Sequence, residues 1–278
     1  MEGTVNDRPL TWHYGLMARW WAEFSTASTE ELAYFSAAIE RNGEPALELA
    51  CGNGRVLLPL LRAGHEVDGC DLSADMIALC GQALAREGFF ARLYVQAMHE
   101  LDLPRQYGTI YICDSFGLGG QRAWDAETLR RCWQQLSPGG ALLFNHYLPY
   151  DNPDEWRLWL AENRRALPDT APELGSGPRR RADDGDEFEL WTGIADLDPL
   201  AQRVTRSMRV SRWRDGAPVE QEEHLLAENL YFRDELLLLL SRAGFNDVTV
   251  EAGYSGQPAT AEHTVLTFVA RKDGQAGA

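Results

Sequence analysis

The sequence predicts an α/β fold in which helices cover both faces of a mostly parallel sheet. Short apolar runs alternate with helical segments from residue 46 to residue 146, as expected for successive βαβ units. A glycine turn, residues 52–54, follows the first run, and an acid, Asp71, follows the second. A helix that stops at Gly244 precedes two final runs, for which a hairpin is expected. We therefore predict a seven-stranded sheet whose last strand is antiparallel.

Hydrophobic periodicity and capping residues set the expected limits of each element. The predicted strands of the sheet are Ala46–Leu49, His65–Cys70, Ala91–Gln96, Thr109–Cys113, Ala141–His146, Asp247–Ala252 and Thr264–Arg271. The predicted helices are Arg55–Ala63, Ala74–Glu87 capped by Ser73, Asp125–Leu136 and Arg233–Ala243, preceded by helical spacing from Leu10 to Glu40 with Thr29 as a cap. Right-handed crossovers would place the carboxyl ends of the parallel strands at one edge.

The segment between the fifth strand and the last helix breaks this alternation. It begins with a predicted helix, Glu155–Ala166, and continues into a turn-rich loop. Three further runs then have strand character, which predicts an antiparallel cap inserted into the α/β core. These runs are Glu187–Leu197, Val204–Arg214 and Val219–Tyr231, with a turn at residues 214–218. The predicted domains are an N-terminal helical lid (1–43), a core (44–148), the inserted cap (149–231) and a C-terminal helix and hairpin (232–278).

The net charge of −16 argues against nucleic acid or an anionic membrane as a partner, because the overall field repels polyanions. One basic run, Arg179-Arg180-Arg181, is followed at once by acids and is expected to be a solvated loop. The 5 cysteines form no CxxC pair, so we expect no metal site and a reducing cytoplasm. A signal peptide or membrane span is not expected.

The glycine turn has the features of a ligand-binding loop. Gly52 and Gly54 allow a sharp turn and a close approach of the backbone to a ligand, while the next helix offers its amide groups. Arg55-Val56 stands where a P-loop needs Lys and Ser or Thr. Leu57 stands where a dinucleotide-binding turn needs a small residue, so both phosphate-binding interpretations are weakened.

Asp71 follows the second apolar run, at the sheet edge where a carboxylate can accept both hydroxyl groups of a ribose. The alternative is a cap for the next helix, for which Ser73 is better placed. The glycine turn and the acid together therefore predict a nucleoside site.

These residues resemble the class I S-adenosylmethionine-dependent methyltransferases, a family with a Rossmann-like fold. Residues 48–54 (Glu-x-Ala-x-Gly-x-Gly) resemble its first motif, with alanine in place of the usual first glycine. Residues 71–76 (Asp-Leu-Ser-x-Asp-Met) resemble the second motif. Residues 136–140 (Leu-Ser-Pro-Gly-Gly) and 242–245 (Arg-Ala-Gly-Phe) resemble the segments before the fifth strand and near the carboxyl end. The resemblance covers about residues 44–146 and 230–271 and implies S-adenosylmethionine as cofactor, S-adenosylhomocysteine as product and no metal.

The resemblance also assigns roles to single residues. It implies that the turn holds the methionine part of the cofactor, Asp71 the ribose and Met76 one side of the adenine. It further implies that Tyr14, Arg19 and Trp20 belong to an N-terminal helix that closes over the cofactor, although simple packing of this helix is an equal alternative. The implied cofactor residues are Tyr14, Arg19, Trp20, Glu48, Ala50, Cys51, Gly52, Asp71, Leu72, Met76, Ala97, Met98 and, through its backbone carbonyl, Asp114.

One position departs from the family pattern. Ala97 stands where the family often has an acid that accepts the adenine amino group. The backbone at Ala97 and Met98 remains available to pair with the ring edge. The adenine contact is therefore expected to be weaker or differently arranged.

Methyl transfer depends mainly on holding donor and acceptor close and in line, and a general base helps hydroxyl and carbon acceptors most. The candidates are His146, Tyr147 and Tyr14, and His146 is favoured because imidazole titrates near neutral pH. A structural, hydrogen-bonded histidine is the open alternative. His224, on an inserted strand, is a more distant candidate.

The inserted segment supplies aromatic residues that could wall a pocket for an apolar or ring-containing small molecule. These residues are Trp156, Trp159, Trp191 and Trp213, and a subdomain core or a homodimer face is the alternative use for them. We therefore predict methyl transfer to N, O or C of a small metabolite or natural-product-like acceptor. Two alternatives stay open: a nicotinamide-dependent Rossmann oxidoreductase, and a protein that binds S-adenosylmethionine without turnover.

Overall fold

The computed structural model describes residue 11 and residues 13–274. The helices are α1 (Gly15–Phe24), α2 (Thr29–Asn42), α3 (Leu57–Arg62), α4 (Ala74–Glu87), α5 (Arg122–Gln135), α6 (Pro153–Arg157) and α7 (Arg233–Ala243). The strands are β1 (Ala46–Leu49), β2 (Val67–Asp71), β3 (Leu93–Val95), β4 (Tyr107–Ile112), β5 (Leu136–Tyr147), β6 (Arg179–Arg181), β7 (Glu187–Asp198), β8 (Arg203–Arg214), β9 (Ala217–Asn229), β10 (Asp247–Ala252) and β11 (Val265–Arg271).

The chain forms two compact units. One unit, the core unit, comprises residues 24–116, 123–151 and 231–274, and the other, the cap unit, comprises the described residues up to 23 together with 117–122 and 152–230. Within the described residues, no helix is both long and apolar enough to cross a membrane.

The core unit contains a seven-stranded sheet of order β10-β11-β5-β4-β1-β2-β3. The five strands in the spatial order β3-β2-β1-β4-β5 are all parallel to their neighbours. Strand β11 is antiparallel to both β5 and β10. This confirms the predicted Rossmann-like sheet with an antiparallel last strand. The carboxyl ends of β1, β2, β4, β5 and β10 therefore lie at the same edge.

Each face of this sheet has its own hydrophobic core, because side chains alternate along each strand. Leu47 and Ile110 belong to the face covered by α5 and α7, whereas Tyr111 and Leu143 belong to the face covered by α2, α3 and α4. Packing on both faces thus fixes the strands whose carboxyl ends form the edge of the predicted site.

The cap unit contains a four-stranded antiparallel sheet of order β6-β7-β8-β9. Asp215 and Gly216, with φ of 51° and 77°, form the tight turn predicted between β8 and β9. Helix α1 is attached to this sheet: the Leu16 N–H donates to Glu222 Oε2 at 2.8 Å, and Arg19 pairs with Asp184.

Three local predictions were wrong. Ser28, not Thr29, caps α2, since its side chain accepts from the Glu31 N–H while Glu31 accepts from the Ser28 N–H. The predicted helix Glu155–Ala166 stops at Arg157, and a 3₁₀ turn covers Asn163–Ala166. There the Arg164 guanidinium donates to the carbonyl oxygens of Leu158 and Trp159, which a continuous helix would use internally.

The prediction of a loop for the basic run was also wrong, because residues 179–181 form strand β6. Arg181 pairs with Glu187 at 3.0 Å, and the Arg179 guanidinium lies 3.5 Å from the ring centre of Trp213. Such charge and cation–π contacts stabilise a polar edge strand that shows no hydrophobic alternation.

Candidate active site

The glycine turn after β1 is held in a left-handed backbone conformation. Ala50, Gly52 and Gly54 have φ of 55°, 54° and 86°. The Cys51 N–H donates to the Cys70 carbonyl oxygen at 3.1 Å, which ties the turn to β2. A Cβ atom on Gly54 would lie 2.9 Å from Cys80 Sγ, so a side chain does not fit there. The absence of a side chain at Gly54 therefore lets the turn pack closely against α4.

Asp71, the last residue of β2, joins this turn to the next helix. Its Oδ2 accepts from the Gly52 N–H at 2.9 Å, and its Oδ1 accepts from the Ser73 N–H at 2.8 Å. Burial raises the pKa of Asp71, while these two hydrogen bonds act in the opposite direction. Each oxygen keeps one further lone pair, which is what two vicinal hydroxyl groups require.

Glu48 lies beneath the turn as a buried carboxyl group. It is 3% exposed, and its Oε2 accepts from the Tyr111 hydroxyl at 3.1 Å. Burial raises the pKa of Glu48 well above its usual value. Glu48 therefore supports the turn from the core side, where a neutral carboxyl group is favoured.

The residues predicted to contact adenine also belong to the core unit. Met76 is buried, and its Sδ lies 4.0 Å from the position of a Cβ on Gly52. The Gln96 N–H donates to the Asp71 carbonyl oxygen at 2.9 Å, which fixes the chain before Ala97. Ala97 is buried at the start of a 3₁₀ turn, and Met98 packs against the hydrophobic core. Leu72 is half-buried.

Asp114 follows β4 with a φ of 53°, and its carboxylate has several partners. Oδ1 accepts from the side-chain amide of Asn145, from the Tyr147 hydroxyl at 3.2 Å and from the Tyr254 hydroxyl at 3.4 Å. Oδ2 lies 3.5 Å from Arg55 Nη2. The sequence pointed to the carbonyl group of Asp114, whereas the structure makes its side chain the centre of a network.

Arg55 occupies the centre of a group that would otherwise be suited to a cation. One ligand atom from each of Glu31, Cys113 and Asp114 lies within 4.8 Å of the others. The Arg55 guanidinium donates to both Glu31 oxygens at 2.7 and 2.9 Å and to Cys113 Sγ at 3.1 Å. Arg55 therefore takes the place of a cation toward Glu31 and Cys113, and its Nη2 lies 3.5 Å from Asp114 Oδ2.

The three predicted residues of the N-terminal helix belong to the cap unit. Arg19 pairs with Asp184 and Asp186 and lies 5.1 Å from the ring centre of Phe188. Trp20 packs edge to face on Trp21 at 5.4 Å. The carbonyl oxygen of Tyr14 accepts from the Ala18 N–H in the first turn of α1. The roles of Tyr14, Arg19 and Trp20 toward the cofactor stay predictions.

His146, the favoured catalytic candidate, is 4% exposed. Its Nε2 accepts a hydrogen bond from the Tyr231 N–H at 3.2 Å. This lone pair is the one that a general base would use, so the structure describes a packed histidine in this conformation. In contrast, the neighbouring Tyr147 is 44% exposed and donates to Asp114.

The network around Asp114 contains residues that sequence reasoning missed. Arg55 directly follows the glycine turn, and this position could have drawn attention to it. Asn145 lies inside an apolar run, where a buried amide needs a partner. Tyr254, in the loop between β10 and β11, carries no local sequence signal, since only the strand order brings it to this edge.

Comparison with known proteins supports the resemblance. Residues 46–140 match a family model described as "Methyltransferase domain". A curated relative, the "Putative methyltransferase YqeM" of Bacillus subtilis (strain 168), is 24% identical over 241 residues, which cover 86% of this chain and 88% of the relative.

Two solved structures have the same fold. One is an S-adenosylmethionine-dependent methyltransferase from Clostridium acetobutylicum ATCC 824, with a TM-score of 0.68 and 16% identity over 93% of this chain and 98% of that one. The other is the sugar N-methyltransferase KedS8 from Streptoalloteichus sp ATCC 53650, with a TM-score of 0.68 and 15% identity over 98% of both chains. The predicted resemblance to class I S-adenosylmethionine-dependent methyltransferases is confirmed.

Proposed function

We propose that this chain, whose core matches the methyltransferase family, transfers a methyl group from S-adenosylmethionine to a small molecule. The observation that carries the proposal is the pair of hydrogen bonds from Gly52 and Ser73 to the Asp71 carboxylate, at 2.9 and 2.8 Å. They join the glycine turn, the end of β2 and the start of α4 into one cradle, which we propose holds the nucleoside.

The residues present fit the cofactor that the family implies. The left-handed turn at residues 50–54 offers backbone groups, and a Cβ on Gly52 would lie 4.0 Å from Met76 Sδ. Asp71 would hold the ribose, and Met76 would lie beside the adenine. Glu48 would keep the turn in shape from the core side. When bound, S-adenosylmethionine supplies an electrophilic methyl group on a sulfonium.

The protein's own contribution to transfer would be orientation and exclusion of water. The carboxyl-terminal edge of the sheet carries Asp114 and Tyr147 beside the cradle's strands, at the place where α/β sheets bind ligands. His146 and Tyr14 remain the predicted catalytic residues, although the packing of His146 gives Tyr147 the more accessible side chain. A small-molecule acceptor is supported by the sugar N-methyltransferase of the same fold.

The nicotinamide-dependent alternative is less well supported. It requires a small residue near position 57, whereas Leu57 is buried at the start of α3. It also predicts a continued parallel sheet, whereas β11 is antiparallel to β5.

Titration calorimetry with S-adenosylmethionine, S-adenosylhomocysteine and NADH tests the proposal. We expect saturable binding of both sulfur nucleosides and no measurable binding of NADH. The reverse pattern would favour the oxidoreductase and contradict the proposal. Methyl-labelled S-adenosylmethionine then distinguishes an enzyme from a protein that only binds the nucleoside, because only an enzyme moves the label into an acceptor.

A further inference from the structure

We propose that Asp114, Tyr147 and Tyr254 form a binding site for an ammonium group, and that the methyl acceptor of this protein is therefore an amine. The inference rests on the proposed function, which it extends from a small molecule to an amine. It is argued entirely from residues of the core unit.

The three side chains converge because of the strand order. Asp114 follows β4, Tyr147 ends β5, and Tyr254 follows β10, and these strands have their carboxyl ends at one edge of the sheet. Both tyrosine hydroxyls donate to the same oxygen of Asp114, at 3.2 and 3.4 Å. Two phenol hydroxyls thus converge on one carboxylate at the edge where α/β proteins bind ligands.

A buried residue is devoted to holding this carboxylate in place. Asn145 is 2% exposed and uses both ends of its amide on Asp114: its Nδ2 donates to Oδ1, and its Oδ1 accepts from the Asp114 N–H at 2.8 Å. Asp114 itself has a φ of 53°, a conformation that costs energy for a residue other than glycine. A strained backbone and a buried partner that together fix an exposed side chain are typical of a functional site.

Among the described residues of the core unit, the charges around Asp114 leave one negative charge uncompensated. Arg55 is shared between Glu31, at 2.7 Å, and Asp114, at 3.5 Å. Burial raises the pKa of Cys113, Tyr147 and Tyr254, so these three groups are neutral donors at pH 7. Two carboxylates therefore face one guanidinium.

The excess charge is accessible on Asp114, because Glu31 is buried while the Asp114 side chain is 36% exposed. A carboxylate with this geometry attracts a cation that can also donate hydrogen bonds. An ammonium group satisfies both requirements.

The chemistry of transfer balances with an amine acceptor. The bound ammonium first releases one proton to solvent. The nitrogen lone pair then forms the N–C bond, and the electron pair of the broken S–C bond remains on sulfur. Asp114 and the two tyrosines orient the nitrogen throughout and form no bond themselves, so they are acceptor-binding residues.

Two ammonium groups could use this site: that of the acceptor, and the α-ammonium of the cofactor's methionine part. The test therefore uses protein saturated with S-adenosylhomocysteine, which supplies the second group itself. Cyclohexylamine, as its cation at pH 7, and cyclohexanol serve as matched probes, and ligand-detected NMR titration measures their dissociation constants. Asp114→Asn and Tyr147→Phe are compared with Asp102→Asn, a change of an exposed acid elsewhere in the core unit.

We expect cyclohexylammonium to bind the wild type more tightly than cyclohexanol does, and the Asp114→Asn change to weaken it about tenfold. Tyr147→Phe should weaken the binding of cyclohexylammonium less than Asp114→Asn does, and Asp102→Asn should leave it unchanged. Added salt should weaken the binding of cyclohexylammonium and leave that of cyclohexanol unchanged.

Three results would overturn the proposal: no saturable amine binding to the wild type, equal binding by Asp114→Asn, or equal affinity for both probes. A loss of S-adenosylhomocysteine affinity in Asp114→Asn, without an effect on the amine, would assign the site to the cofactor and also overturn the proposal. If S-adenosylhomocysteine does not bind the wild type, it is the proposed function that fails. The amine titration is then repeated without the nucleoside, so the ammonium site is tested separately.

Discussion

Glu48 shows at the scale of one residue how the fold supports the glycine turn. Its carboxyl group is 3% exposed and has the Tyr111 hydroxyl as a partner at 3.1 Å. Burial disfavours the charged form and raises the pKa of Glu48 above its ordinary value of 4.5. The family resemblance implied that Glu48 is a cofactor residue, and the structure adds that its buried carboxyl group is suited to its place in the neutral form.

The raised pKa has a consequence for stability. Above pH 4.5 the unfolded chain loses the Glu48 proton while the folded chain keeps it. Glu48 therefore makes the free energy of unfolding fall as pH rises from 4.5 toward the folded pKa. In the Glu48→Gln variant, the side chain has nearly the same shape but no ionisable group.

We expect urea unfolding to give similar stabilities for Glu48→Gln and the wild type near pH 4.5, and a relative gain for the variant at pH 8. The gain should be about 1.4 kcal/mol for each unit of pKa shift crossed. Glu262→Gln, at an exposed acid, is the control and should show no such trend. A constant difference between Glu48→Gln and the wild type from pH 4.5 to pH 8 would contradict the account.

At the scale of the element, the turn between β1 and α3 depends on the absence of a side chain at Gly54. Its φ is 86°, and a Cβ there would lie 2.9 Å from Cys80 Sγ on α4. Gly139 has a similar φ of 80°, but a Cβ on it meets no described atom within 4 Å. The two glycines separate the cost of the backbone conformation from the cost of crowding.

We expect Gly139→Ala to destabilise the protein by about 1 kcal/mol, from the backbone alone. Gly54→Ala should cost about 1–3 kcal/mol more, because the new methyl group overlaps Cys80. Denaturant unfolding measures both values, and a Cys80→Ala background should remove most of the difference. Equal costs in the two single variants would show that the packing against α4 does not constrain the turn.

Elements with a strong periodic pattern were predicted well from the sequence. Strand β1 and helices α4 and α7 have the expected limits, because burial and capping both act through neighbouring residues. Strand β6 and the break after α6 were missed because long-range contacts decide them: Arg179 lies over Trp213, and Arg164 takes two carbonyl oxygens. Local propensity carries no information on such contacts.

Part of the candidate site could likewise be predicted from the sequence, and part of it could not. Asp71 and Gly52 were predicted together, because their motif spacing along the chain reflects one βαβ unit. The network at Asp114 joins residues from β4, β5 and the loop after β10, which the sequence separates by 140 positions in the case of Tyr254. Only the folded sheet brings these residues together, so their partnership could not be predicted.

At the scale of the whole molecule, the fold is kept while identity is low. The chain has 16% identity to the Clostridium structure at a TM-score of 0.68. Strand order and alternation depend on where apolar residues recur, and many sequences satisfy that pattern. The net charge of −16 is likewise a property of the whole chain and favours small ligands over nucleic acid as partners. The proposed function would therefore depend on the few residues at the sheet edge.

The central claim is that the turn and Asp71 together bind the nucleoside of S-adenosylmethionine. Titration calorimetry of S-adenosylhomocysteine with wild type, Asp71→Asn and the control Asp102→Asn tests it most directly, on proteins that give the same circular dichroism spectrum. An asparagine cannot accept from both Gly52 and Ser73 and also from two hydroxyl groups. We predict that Asp71→Asn raises the dissociation constant at least about tenfold while Asp102→Asn leaves it unchanged. Equal affinity in Asp71→Asn and the wild type would contradict the claim.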